Sequence, residues 1–207
     1  MALTAASELL AREMLDEKHQ ELIEMIQRET MRLSKMAQDF LDLARLESGR
    51  VQLAQGPVNL LLLINDVVGL QEPQAADRGI TITTNFPEQL PIITGDYDRL
   101  KQVLLNLTNN AIKYNVIQGQ IDITIADLDK EVMIAIFDTG PGIARENQAH
   151  LFERFYRIPD GEGFTEGTGL GLSISARIMQ EHGGRIEVSS ARGQGSTFRC
   201  YLPKSDG

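Results

Sequence analysis

The chain has no tryptophan, a single cysteine and three histidines in 207 residues, and aromatic residues make up only 5% of it. One cysteine cannot close an internal disulfide, which excludes the small disulfide-framed folds; Cys200 sits in an alternating segment and reads as a reduced core residue. Apolar runs such as Leu60 to Ile64 are far too short to cross a bilayer, and Met1 is not followed by the basic stretch and apolar core of an export signal. The expected compartment is the cytoplasm, with no membrane segment in this chain and a membrane-bound parent left open. Positive charge is in deficit: 20 basic residues are scattered among 29 acidic ones, for a net charge of -9. No broad basic surface is available to neutralise nucleic-acid phosphates, so no DNA or RNA partner is expected.

Glycine and proline are missing from residues 1–48, which are rich instead in Leu, Ala, Met, Glu and Lys, the composition of long helices. From Leu22 the apolar residues recur at Ile26, Leu33, Met36, Phe40 and Leu43 in a heptad seam, with Glu29 interrupting one position. A second apolar stripe, Leu3 to Leu15, and a polar turn at Asp16, Glu17 and Lys18 predict a helical hairpin over residues 1–55. Gly49 reads as the cap of its second helix, and Gln55, Gly56 and Pro57 mark a boundary to a second domain, residues 56–207.

Beyond that boundary helices are predicted near Asn59 to Ala75, Asp96 to Tyr114 and Gly171 to His182. Strands are predicted at Ile80 to Thr84, Gln120 to Ala126, Glu131 to Asp138, Arg185 to Ser189 and Ser196 to Leu202, the last four as two hairpins. The expected fold class is α+β, a two-layer α/β sandwich with a mixed sheet and helices on one face, preceded by the hairpin.

Three segments carry chemistry. Asn106, Asn110 and Lys113 lie four and then three residues apart, on one face of a helix whose other face is Leu100, Val103, Leu104 and Leu107. An Asn carbonyl suits magnesium held beside nucleotide phosphates, and Lys113 can neutralise phosphate charge, although the three alone also fit a solvated face. Asp138-Thr-Gly-Pro-Gly-Ile143 follows a strand. A carboxylate there only accepts hydrogen bonds, which suits the exocyclic amine of adenine, while Gly140 and Gly142 let a flat base approach; alone, the segment is also a reasonable turn. Gly167-Thr-Gly-Leu-Gly-Leu172 opens a helix, where free N–H groups can cradle a polyphosphate. It matches neither the P-loop nor the dinucleotide fingerprint. Phe152-Glu-Arg-Phe-Tyr-Arg157 and the glycine-containing Asp160 to Glu166 suit a mobile lid or a plain loop.

Together, and in their order along the chain, with Phe152 to Arg157 between the two glycine segments, these resemble the four boxes of the histidine kinase catalytic domain of the GHKL ATPase superfamily, over roughly residues 57–204. The resemblance implies a Bergerat-type ATP-binding fold using ATP and magnesium. It implies Asn110 as magnesium ligand with Asn106 assisting, Lys113 and Tyr114 at the phosphates and nucleotide, and Asp138 at the adenine amine. Gly140, Gly142, Ile143, Gly167, Thr168, Gly169, Leu170, Gly171 and Leu172 would line the pocket, with Arg157 at the terminal phosphate and Thr197 on the base side. Hydrolysing members of the superfamily, such as gyrase, carry a glutamate where this chain has Asn106, and an amide cannot act as general base.

The hairpin resembles the dimerisation and phosphotransfer module of sensor histidine kinases. Leu43-Ala-Arg-Leu-Glu-Ser-Gly49 looks like the end of its second helix, and Leu3-Thr4 like the residues that follow the phosphate-accepting histidine. The chain is expected to begin just past that histidine and to be unable to phosphorylate itself. His19 is followed by Gln20-Glu-Leu-Ile23, without the basic residue and proline of the acceptor motif, and His150 and His182 read as ordinary surface or helix-end residues. The implied partners are ATP, the receiver domain of a response regulator, and a second copy of the chain through the hairpin. An ATP hydrolase and a non-enzymatic nucleotide-binding module remain as alternatives.

Overall fold

A computed structural model describes residues 17–47, 53–87, 89–158 and 168–204. The expected first helix at Leu3 to Leu15, the turn at Asp16 and the Gly49 cap lie outside them. Glu17 and Lys18, read as part of that turn, already belong to helix α1 (Glu17–Glu47). Along α1 the heptad seam stays open: Leu22, Ile26, Leu33 and Phe40 are 47%, 49%, 63% and 58% exposed, while Ile23 and Leu43 are buried. Among the described residues no helix is long and apolar enough to cross a membrane.

After α1 comes a two-stranded antiparallel ribbon, β1 (Gly56–Val58) with β3 (Ile93–Gly95), which the sequence did not announce because three residues carry no period. Between them run α2 (Leu60–Ala76) and β2 (Thr81–Asn85). Asn59 starts α2 by accepting Leu62 N–H at 3.2 Å on its side-chain oxygen. Then come α3 (Tyr97–Lys113), β4 (Gln120–Asp127), β5 (Glu131–Asp138), the single turn α4 (Arg145–Gln148), α5 (Gly171–Glu181), β6 (Arg185–Ser190) and β7 (Ser196–Pro203).

The five-stranded sheet runs β2-β4-β5-β7-β6, with β2 parallel to β4 and every other pair antiparallel. The two expected hairpins are β4–β5 and β6–β7, and β5 lies at the centre between β4 and β7. Helices α2, α3 and α5 pack on one another and on the sheet. Leu100, Val103, Leu104 and Leu107 of α3 join Ile121, Ile123, Ile134, Ile136, Ile174 and Ile178 in the core. Cys200 is buried there, and burial pushes its thiol up to about 12, which removes the reactive thiolate.

Helix α3 is pinned at its first turn by a residue the sequence reading passed over as an ordinary helix end. His182 is buried; its Nε2 accepts Asp96 N–H at 2.9 Å, which leaves the proton on Nδ1 to be donated to Ile178 O at 2.8 Å. Asp96 in turn caps α3, accepting Arg99 N–H at 3.1 Å, and accepts Ala54 N–H at 2.9 Å. Burial raises the Asp96 carboxyl, but these two N–H groups, with the Arg99 charge nearby, outweigh it and hold it below its usual 3.8. Replacing His182 with alanine strands the Asp96 N–H and opens a hole between α5 and α3. We expect a loss of about 2–4 kcal/mol in urea unfolding. A loss below about 0.5 kcal/mol, the range of an unremarkable surface site, would contradict this role.

Candidate functional site

Strand β5 is central, so its chain end emerges from the core, and Asp138 is buried there. Asp138 Oδ1 accepts Gly140 N–H at 2.8 Å. Burial raises its carboxyl above the usual 3.8, and the N–H groups of Gly140 and Ser196 pull it only part of the way back. The result is a desolvated acceptor at the mouth of a glycine loop.

That loop is fixed from outside. A Cβ on Gly142 would overlap the Ala191 carbonyl oxygen, so only glycine lets the 191–195 turn lie against it. Gly193 N–H donates to Pro141 O at 2.7 Å, and Ile143 N–H to Ser190 Oγ at 2.7 Å. Ser190 Oγ donates onward to Gly195 O at 2.7 Å, and Gln148 Nε2 reaches the carbonyls of both Ile143 and Ser190 at 2.8 Å. Sequence reasoning missed Ser190 and Gln148, whose only sign was a polar residue flanking each turn.

Asn106, Asn110 and Lys113 are half-buried on α3. Asn106 donates Nδ2–H to Ser175 Oγ at 2.9 Å, and its Oδ1 occupies the space a Cβ on Gly171 would need. Tyr114 is half-exposed with Lys113 Nζ 5.0 Å from the centre of its ring, and a Cβ on Gly140 would come within 2.8 Å of the Tyr114 carbonyl oxygen. The amide helix thus touches both glycine segments.

At the second of these, Thr168 and Leu170 are buried and Leu172 is half-buried; Leu170 N–H donates to Thr168 Oγ1 at 3.2 Å. Gly169 O accepts Phe155 N–H at 2.9 Å, which joins the Phe152 to Arg157 segment to the loop. Thr168 Oγ1 also donates to Asp39 Oδ2 of α1 at 3.0 Å. Thr197 is half-buried on β7 opposite Phe137, one position from Ser196, the partner of Asp138. Arg157 is exposed at the end of its segment; Gly167 and the expected lid at Asp160 to Glu166 lie outside the described residues. A neighbouring groove of about 620 Å³, lined by Arg145, Val188 and Arg192, adjoins the loop at Ile143, Gln148 and Ser190 but includes neither Asn106 nor Asn110.

Asp138 with its loop, the end of α3 and the start of α5 are thus linked through Gly140 against Tyr114 and Gly171 against Asn106. Among the described residues no cluster of three His, Cys, Asp or Glu gathers.

Residues 95–206 match the family described as histidine kinase-, DNA gyrase B-, and HSP90-like ATPase, and residues 1–49 the His Kinase A (phospho-acceptor) domain. Sensor protein SrrB of Staphylococcus aureus (strain MRSA252) is 35% identical over 179 residues, covering 86% of this chain and 30% of that protein. The chain thus spans less than a third of the length of that relative. The crystal structure of full-length ShkA in complex with AMPPNP superposes with a TM-score of 0.83 at 30% identity, over 99% of this chain and 43% of that one. Histidine kinase ThkA in complex with response regulator protein TrrA gives 0.75 at 27% identity, over 99% and 57%. With both modules matched in order and the mixed sheet and amide helix in place, the chain belongs to the sensor histidine kinases, with a catalytic domain of the GHKL ATPase type.

Proposed function

We propose that residues 56–207 bind ATP with magnesium and present its terminal phosphate to a histidine for transfer. The observation that carries this reading is the buried, desolvated Asp138 beside a loop held against the end of the amide helix, which itself meets the second glycine segment at Gly171. Asp138 accepts the adenine amine, Gly140 and Gly142 admit the base, and Ile143 and Thr197 flank it. Asn110 would hold magnesium together with phosphate oxygens, and Asn106, already tied to Ser175, steadies the helix beneath it. Bound there, magnesium would neutralise charge on the phosphates. Lys113 and the N–H groups at Gly169, Leu170 and Gly171 orient the polyphosphate, and Arg157 approaches its end.

Catalysis comes from placement and charge neutralisation, because no carboxylate occupies the Asn106 position to take a proton from water. ShkA holding AMPPNP and ThkA holding TrrA support an adenine nucleotide and a receiver domain as partners. The uncovered seam of α1 supports pairing with a second copy.

The test incubates the chain with labelled ATP, magnesium and a separate fragment carrying a phosphate-accepting histidine. Acid-labile label on the fragment is expected. ATP binding without such label would leave only a binding module, and steady phosphate release without any acceptor would indicate a hydrolase.

A further inference from the structure

We infer that Asn115 and Thr139 form a positioning bridge that sets how far the base-selecting carboxylate stands from the amide helix. The inference rests on the nucleotide reading above, in which Asn115 has no part and Thr139, although inside the Asp138 to Ile143 segment, has no role.

Helix α3 ends at Lys113, and the chain must then turn back into β4. Arg78, arriving from the turn before β2, holds that end. It donates to Ile112 O at 2.8 Å, Lys113 O at 2.6 Å and Asn115 O at 3.1 Å. A cation on the last carbonyls of a helix suits the negative end of its dipole. The backbone beneath Lys113 and Tyr114 is therefore fixed on the α3 side, and the side chain that follows decides what it is fixed to.

Asn115 is buried and every polar atom of its amide is engaged in a specific direction. Its Oδ1 accepts Thr139 Oγ1–H at 3.0 Å and Val116 N–H at 2.9 Å, and its Nδ2 donates to Gln120 O at 3.2 Å. Thr139 Oγ1 accepts Gln120 N–H at 2.8 Å. Thr139 stands between Asp138 and Gly140, so this small network links the end of the amide helix to the acceptor carboxylate at one residue's remove. Gly119 closes over it: a Cβ there would overlap Asn115 Oδ1 and lie 2.9 Å from Thr139 Oγ1. The close approach of Gly140 to Tyr114 O and the side-chain hydrogen bond from Thr139 to Asn115 tie the loop to the end of α3 at two neighbouring points. With Asn115 buried and Thr139 half-buried, a network whose members each have a partner specifies one geometry.

The experiment compares the full chain with Thr139→Val, Asn115→Ala, the double variant and Thr139→Ser. Calorimetric titration measures Mg-ATP and Mg-GTP binding, and urea unfolding confirms that each variant is folded. Thr139→Val keeps the shape while deleting the hydroxyl that donates to Asn115 and accepts from Gln120 N–H; we expect ATP affinity to fall about tenfold. The preference for ATP over GTP should narrow, because a displaced Asp138 no longer meets the base amine squarely. The double variant should lose no more than the worse single one, since both cut the same link, and Thr139→Ser should restore affinity and preference.

Thr139→Val binding ATP as the parent does overturns the bridge. Equal losses for ATP and GTP, unrescued by serine, also overturn it, because that pattern describes general loosening. A parent chain that binds neither nucleotide would instead defeat the nucleotide reading itself.

Discussion

Asp138→Asn is expected to weaken Mg-ATP binding by about 100-fold, as a charge-assisted hydrogen bond to the base is lost and a donor takes its place. The size follows from the two demands on one carboxyl group. In the parent, Oδ1 accepts Gly140 N–H at 2.8 Å, and an ionised carboxylate has acceptor capacity left for an exocyclic amine. An asparagine offers one oxygen and one NH2 group. If the oxygen keeps Gly140, the NH2 confronts the adenine amine; if it turns to the base, the NH2 confronts the Gly140 N–H. Either orientation sets two donors face to face.

A pH dependence accompanies this loss and has the opposite sign for stability. Burial raises the Asp138 carboxyl above its ordinary 3.8. The folded chain then takes up that proton at a higher pH than the unfolded chain, so folding is penalised once pH exceeds the raised value and is relieved as pH falls toward 3.8. Nucleotide affinity moves the other way, because the protonated acid no longer accepts the amine at full strength. The stability difference between parent and Asp138→Asn, measured in urea across this range, should therefore shift in the parent's favour as pH drops, while the parent's ATP affinity declines. A flat stability difference, or an ATP affinity untouched by the substitution, would remove Asp138 from the base site.

The segments legible in the sequence are those whose chemistry is periodic or consecutive. Helix α3 could be placed because Leu100, Val103, Leu104 and Leu107 occupy one side and Asn106, Asn110 and Lys113 the other. Strand β5 could be placed because Val132, Ile134 and Ile136 alternate into the core and then stop at Asp138. What escaped were contacts between residues far apart in the chain. His182 meets Asp96 across 86 positions, Ser190 meets Ile143 across 47, and Asn115 meets Thr139 across 24. A buried polar side chain looks the same in sequence as an exposed one until the fold supplies its partner. Periodicity reports which side of an element faces water, and these residues act within the gaps between elements. The ribbon of β1 and β3 was lost for a simpler reason, being too short to show alternation.

Gly195→Ala should cost about 2–5 kcal/mol of stability, combining the strain of a left-handed backbone with overpacking. It should also reduce ATP affinity in whatever fraction remains folded. Gly195 has φ +78, and a Cβ there would overlap the Asp138 carbonyl oxygen, 3.0 Å from the carbonyl carbon and 3.2 Å from Phe137 Cε2. Relief requires β5 and β7 to part at the point where Asp138 pairs with Ser196, which carries the acceptor carboxylate out of line. Gly193, two residues earlier in the same turn, separates the two causes. Its φ is +75, yet a Cβ there meets nothing within 4 Å, so Gly193→Ala carries the backbone term alone, about 1–2 kcal/mol. Urea midpoints for the two variants, read beside ATP titrations, isolate the contact with Asp138 as their difference. If both glycines cost the same and both variants bind nucleotide equally, the turn is merely a turn, and its packing against the carboxylate strand has no part in shaping the pocket.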